Sequence, residues 1–157
     1  MSDGPPLAIR RYRDADHDDV WALHNLALHD VGAHAGNGPW DDDLHHIAPV
    51  YLDAGGEFLV GLHDGRIVAM GALRRTAGDA AEVTRMRVHP DFQRRGFGRA
   101  ILESLLRRAS RLGCRRLHLE TTVGQLAARK LYRASGFVEV GRTTYAGFDV
   151  IQFAREL

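Results

Sequence analysis

At 157 residues, 45% hydrophobic and 26% charged, the chain has the size and composition of one soluble domain, residues 1–157, with apolar residues enough for a real core. No apolar run approaches the roughly 20 residues that span a bilayer, and "MSDGPPLAIRRYRDADHDD" lacks the basic start and apolar segment of a secretory signal, so a cytoplasmic protein without a membrane partner is expected. The single cysteine, Cys114, excludes an internal disulfide and a cysteine-rich metal site, while a net charge of +1 hides a balance of −9 over residues 1–64 and +10 over residues 65–157.

The first predicted element is a short strand, Ala8 to Tyr12, followed by Asp14 and Asp16 as caps. A helix then runs from about His17 to Asp30, with Val20, Leu23 and Ala27 on one stripe and Gly32 beyond its end. "VGAHAGNGPW" reads as a flexible connector, and Trp40 to Leu52 as a second helix opened by the acidic run Asp41 to Asp43 and ended by Gly55-Gly56. Asp64-Gly65 between "EFLVGLH" and "RIVAMGALR" is a hairpin signal, and the turn "TAGDA" leads into "EVTRMRV", so three antiparallel strands form a meander. Ala100 to Leu112 places Ile101, Leu102, Leu105, Ala109 and Leu112 on one helical face, with Gly113 as its cap. Leu117 and Leu119 alternate in a fifth strand. A short helix from about Gln125 stops at Gly136, and "FVEVGRT" and "FDVIQFARE" close the chain as a hairpin.

Between the third strand of the meander and the next helix stands "QRRGFGR", residues 93–99. A glycine-rich turn that opens a helix offers unpaired N–H groups at the positive end of the helix dipole, a setting for phosphate. A Walker loop is excluded because no Gly-Lys-Ser/Thr follows. The dinucleotide fingerprint comes closer, with Gly96-Phe97-Gly98 and an acid, Glu120, at the end of the following strand. Against it, the third glycine position holds Ile101, "HPDFQ" separates the strand from the loop, and "EVTRMRV" alternates rather than being continuously apolar.

The stretch "MRVHPDFQRRGFGRAIL" resembles motif A of the GNAT superfamily of N-acetyltransferases, whose acyl-CoA loop reads Gln/Arg-x-x-Gly-x-Gly/Ala; "AARKLYRASGF" is similar to that family's Ala-x-x-Leu-Tyr-x-x-x-Gly-Phe segment. The resemblance implies an α/β GNAT fold, a mixed and mostly antiparallel sheet of about seven strands flanked by about four helices. It also implies acetyl-CoA as cosubstrate, without a metal, and direct transfer of the acetyl group to an amine. On this reading Gln93, Arg94, Arg95, Gly96, Phe97, Gly98 and Arg99 form the pyrophosphate loop, chiefly through their amides. A Cβ at Gly96 or Gly98 would obstruct backbone approach or a positive φ. Met86, Arg87 and Val88 would pair with the pantetheine arm through the backbone of a splayed strand, where an N–H can polarise the thioester carbonyl. Gln125 stands where the family usually has Asn.

Transfer to an amine needs a group to take a proton and a group to give one to the leaving thiolate. Glu82 is the expected base: by period 2 it shares a strand face with Thr84, Met86 and Val88, an apolar setting that would raise its pKa. Tyr132, the tyrosine of "LY", is the expected proton donor, as the resemblance implies. The nine histidines show no metal-ligand spacing.

The acidic first half suggests a cationic small-molecule amine as acceptor, with a protein N-terminus or lysine second. Nucleic acid is not expected, because the arginines cluster where a coenzyme explains them. The sequence leaves open a catalytically silent acyl-CoA sensor on the same fold, and a homodimer.

Overall fold

The computed structural model describes residues 7–30, 32 and 36–157, so residues 31 and 33–35 of the expected connector, His34 among them, lie outside the described part. The alternating stretches form seven strands: β1 (Ala8–Arg11), β2 (Glu57–His63), β3 (Arg66–Arg75), β4 (Ala80–Val88), β5 (Arg116–Thr122), β6 (Val138–Tyr145) and β7 (Phe148–Glu156). They make one sheet in the order β1-β2-β3-β4-β5-β7-β6. Each neighbouring pair is antiparallel except β4 and β5, which are parallel. A parallel pair requires a long crossover, which helix α2 (Phe97–Arg111) supplies.

Two-residue turns set the hairpin registers. Asp64 and Gly65 both have positive φ, 51° and 78°, as a twist-matched turn between β2 and β3 demands. Ala146 and Gly147, at 51° and 82°, do the same between β6 and β7.

Both faces of the sheet are covered around β3, whose residues Val68 to Leu73 are all buried, consistent with the continuous apolar run "VAMGAL". On one face α1 (His17–Asp30) packs Val20 and Leu23 against Phe58, Val60, Met70 and Ala72. On the other, α2 packs Ile101, Leu102 and Leu105 with Val83, Leu117, Leu119, Phe153 and Tyr132, the last carried by α3 (Leu126–Ala134). Helix and strand approach closely at Gly71, where an added Cβ would meet Met86 Sδ at 2.5 Å and Ile101 Cγ2 at 2.7 Å. The glycine that close packing needs is thus on β3, and Ile101 is buried in that contact.

The expected helix from Trp40 to Leu52 is not formed. In its place a 3-10 turn, Pro39–His45, and a π-type turn, Ala48–Leu52, are separated at His46, whose φ of −143° is not helical. Pro49 accounts for the break, because it has no N–H to continue a ladder and its ring crowds the preceding turn. Leu44, Ile47 and Tyr51 still reach the core beside α1.

Candidate active site

Strands β4 and β5 stay together for only three register pairs, from Ala80 with Arg116 to Glu82 with His118. Beyond them β5 remains paired with β7 as far as Thr122, while β4 remains with β3. The strands part because β4 carries a bulge. Ala72 pairs with Thr84 and Met70 with Arg87, so Arg85 and Met86 together oppose the single residue Gly71, and Arg85 takes φ +57°. The edge of β4 from Thr84 to Val88 that faces β5 therefore has no strand partner among the described residues. Alongside this wedge opens a cavity of about 610 Å³.

The bulge overturns one expectation. Glu82 and Thr84 do not share a face with Met86 and Val88. Residues paired across β3 show the sorting: Val83 lies opposite Leu73 and Val88 opposite Ala69, on the α2 side, whereas Thr84 lies opposite Ala72 and Arg87 opposite Met70, on the α1 side. Met86 and Val88 pack partly against the α2 core. Glu82 does not stand among apolar neighbours, for Arg74 Nη2 donates to its Oε1 at 2.7 Å.

At the far end of β4 the chain runs through a 3-10 turn, Pro90–Phe92, into the basic loop. Arg94 has φ +63° and Gly96, the cap of α2, has φ +80°. These two left-handed residues turn successive amides toward one side, and the amides of residues 94–96 donate to no acceptor among the described residues. They adjoin the first-turn amides of α2, free by the geometry of any helix start. Gly96 has open space around its Cα, so its conformation alone favours glycine; at Gly98 a Cβ would make ordinary contacts with Val88 and Leu131 at 3.4 and 3.6 Å. The arginine side chains diverge. Arg95 lies 5.0 Å over the Phe92 ring, Arg99 pairs with Glu103 at 2.9 Å, and Arg94 and Gln93 are exposed. Phe97 turns inward and is buried.

Tyr132 reaches the cavity from α3 with its ring edge-on to Phe137, centroids 6.0 Å apart. Burial pushes its phenol up to about 12, with the Arg87 cation acting in the opposite direction. Gln125 also lines the cavity, its amide donating to Thr122 Oγ1 at 2.9 Å. Four carboxylates line it: Asp41, Asp43, Glu82 and Glu120. Glu120, read from sequence only as the end of a dinucleotide pattern, accepts from Gln152 Nε2 at 3.1 Å and pairs with no cation among the described residues.

The acidic first half and the basic second half meet here. Arg85 donates to Asp43 through Nε at 3.1 Å and Nη2 at 2.6 Å, and Nη2 also reaches the Trp40 carbonyl at 2.7 Å. These bonds offset the strain of its left-handed backbone. Burial pushes the Asp43 carboxyl up, but its bonds to Arg85 more than offset this and hold it below the ordinary range. Asp41 bonds His24 Nε2 at 3.0 Å, and Arg87 Nε donates to His24 Nδ1 at 3.3 Å. Because arginine only donates, His24 is the neutral tautomer with its proton on Nε2. Elsewhere Glu57, buried, takes bonds from both Arg11 and Arg108 at 2.9 Å. Part of the charge asymmetry is therefore internal pairing, through Arg85 with Asp41 and Asp43 and Arg108 with Glu57.

His24 makes a prediction about pH. Burial, Arg87 and Arg85 bring its pKa down from 6.5 to about 4. A depressed folded-state value means that stability present above the unfolded pKa is lost as pH falls through this window, by up to roughly 3 kcal/mol. Thermal melts between pH 7 and 4 should therefore fall more steeply for the wild type than for His24→Gln, and parallel curves would show that His24 does not resist protonation.

Among the described residues no group of three or more His, Cys, Asp or Glu is disposed to hold a metal ion, and no helix is long and apolar enough to cross a membrane.

Comparison with known proteins places this geometry. The family model described as "Acetyltransferase (GNAT) family" matches residues 17–137. The [Ribosomal protein bS18]-alanine N-acetyltransferase of Escherichia coli (strain K12) is 37% identical over 76 residues, 48% of this chain and 51% of that protein. The chain thus spans about half the length of the curated relatives it matches. A GNAT-family acetyltransferase from Staphylococcus aureus Mu50 superposes with a TM-score of 0.88 at 18% identity, covering 96% of this chain and 99% of the other. YncA of Salmonella typhimurium, solved with acetyl-CoA, gives 0.76 at 21% identity over 97% and 94% of the two chains. At these identities the solved structures show a shared fold.

Proposed function

The chain belongs to the GNAT family of acetyltransferases, and we propose that it moves the acetyl group of acetyl-CoA directly onto an amine bound in the cavity beside β4. One observation carries this reading: the wedge between β4 and β5 leads, along an unpartnered strand edge, to the unpaired amides at the start of α2. Residues 84–88 would hold an extended arm by backbone pairing, and the amides of residues 94–99 its pyrophosphate. The amine nitrogen bonds to the acetyl carbon as the carbon–sulfur bond breaks. A cationic amine first gives one proton to solvent and attacks as the neutral amine; a carboxylate then takes a second proton from the nitrogen and Tyr132 gives one to the sulfur, so an amide and a free thiol leave with one proton released overall.

The carboxylate we assign first is Glu120, which holds no cation, with Glu82 positioned by Arg74. Glu120→Gln should lower kcat/KM at neutral pH by at least tenfold with acetyl-CoA affinity retained, and a higher pH should restore part of it. If Glu82→Gln shows that profile and Glu120→Gln overlays the wild type, Glu82 is the base.

The acceptor is a cationic amine. Asp41 and Asp43 are bound to His24 and Arg85, so Glu120 rather than the acidic first half supports this choice. Trp40 and Tyr145, both exposed at the cavity wall, offer ring faces to a cation. A protein α-amine is a second reading, supported by the ribosomal-protein acetylation named for the Escherichia coli relative. The test is thiol release from acetyl-CoA with small cationic amines and with a peptide that begins with alanine, the product weighed by mass spectrometry. Amine-dependent release with acetylated product is expected. Coenzyme binding without release for any acceptor would mean a silent binder.

A further inference from the structure

We propose that the side chain of Arg87, anchored by His24 and by the Met86 carbonyl, supplies the positive charge that meets negative charge developing in the wedge, first on the thioester oxygen and then on the departing sulfur. The inference rests on the acetyl-transfer reading and adds to it a side chain where only strand backbone was expected to act.

Three features of the chain lead to it. First, the bulge at Arg85 turns Arg87 to the side of β4 where it lines the cavity. Second, two of its nitrogens are fixed. Nε donates to His24 Nδ1 at 3.3 Å and Nη1 to the Met86 carbonyl at 2.8 Å, which leaves Nη2 with no protein acceptor among the described residues. His24 is itself buried and held by Asp41 at 3.0 Å, so two residues, one from α1 and one from the 39–45 turn, fix the guanidinium plane. Third, none of the four carboxylates that line the cavity pairs with Arg87: Asp41 is held by His24 and Arg85, Asp43 by Arg85 and Tyr51, Glu82 by Arg74, and Glu120 accepts from Gln152. Arg87 thus stands as a cation beside Tyr132 with no ion-pair partner among the described residues, although burial and Arg85 lower its pKa to about 10.

A fixed, partly buried cation stabilises an anion more than the neutral ground state. As the amine's lone pair forms the nitrogen–carbon bond, the carbonyl electron pair moves onto oxygen. As the carbon–sulfur bond breaks, the pair moves to sulfur, which then takes the Tyr132 proton. Arg87 faces negative charge at each stage, including on the phenolate left behind. His24 is a positioning residue, acting only through Arg87.

The test uses acetyl-CoA and one responsive amine. Arg87→Gln should lower kcat by about thirtyfold. Its calorimetric affinity for CoA should stay near that of the wild type, and Arg87→Lys should recover part of the loss because it keeps the charge. His24→Leu should reproduce a loss of at least about tenfold, and His24→Gln, which offers Arg87 an amide oxygen, should recover most of it. Wild-type kcat in R87Q, no recovery in R87K, or a fall in CoA affinity that accounts for the whole effect would each overturn the assignment. If R87Q does not fold, the His24 pair decides: wild-type kcat in H24L, or H24Q no better than H24L, overturns it. A wild-type protein without amine-dependent thiol release would instead refute the transfer reading on which this rests.

Discussion

Gly96→Val should remove calorimetrically detectable binding of acetyl-CoA, an affinity loss of at least about 10²-fold, from a protein that still folds. The reason is conformational. Its chain neighbours and own helix backbone aside, no atom of the described residues lies within 4 Å of where a Cβ would stand, but φ is +80°, where a β-branched residue is strained. Relief of that strain would rotate the peptide planes on either side and turn the amides of residues 95–98 away from their common side. The cost to the fold is confined to a helix cap at the surface, of order 1–3 kcal/mol. Gly98→Ala is the matching control for bulk, since its Cβ meets Val88 and Leu131 at ordinary contact distances. A folded G96V that binds with wild-type affinity would detach the loop from the coenzyme.

Tyr132→Phe should lower kcat by the order of 10²-fold while leaving acetyl-CoA affinity within a few-fold. Only the hydroxyl is lost, because the ring keeps its packing on Phe137 and Phe153, at centroid distances of 6.0 and 6.2 Å. At neutral pH a phenol near 12 is fully protonated, so the proton is always present to be given. Stopped-flow single turnovers separate this chemistry from product release. Unchanged single-turnover rates would leave Tyr132 a packing residue.

The parts of this architecture that depend on neighbours in the chain were legible from the sequence. Asp64-Gly65 forms its turn locally, and the Ile101, Leu102, Leu105 stripe states its own helix face. The loop at Gly96 was legible for the same reason. What escaped the sequence is non-local. The bulge at Arg85 exists because Gly71, on another strand, leaves room for Met86, and no alternation count along β4 contains that fact. Arg85 and Asp43 are 42 residues apart, so an acidic run that suggested a helix start instead anchors a strand. Glu120, the base we propose, is marked out as the cavity carboxylate without a cation among the described residues, and that mark exists only in the fold. The break at His46 was within reach, since Pro49 stood inside the expected helix.

Joint binding of acetyl-CoA by the wedge between β4 and β5 and the start of α2 can be read from amide resonances of the 15N-labelled protein during titration with acetyl-CoA. Binding there should give saturable shifts concentrated in residues 84–88 and 94–99, with β1, β2 and the C-terminal turns of α2 largely unmoved. Saturable shifts that leave both of those segments in place, or no shift at millimolar acetyl-CoA, would contradict it.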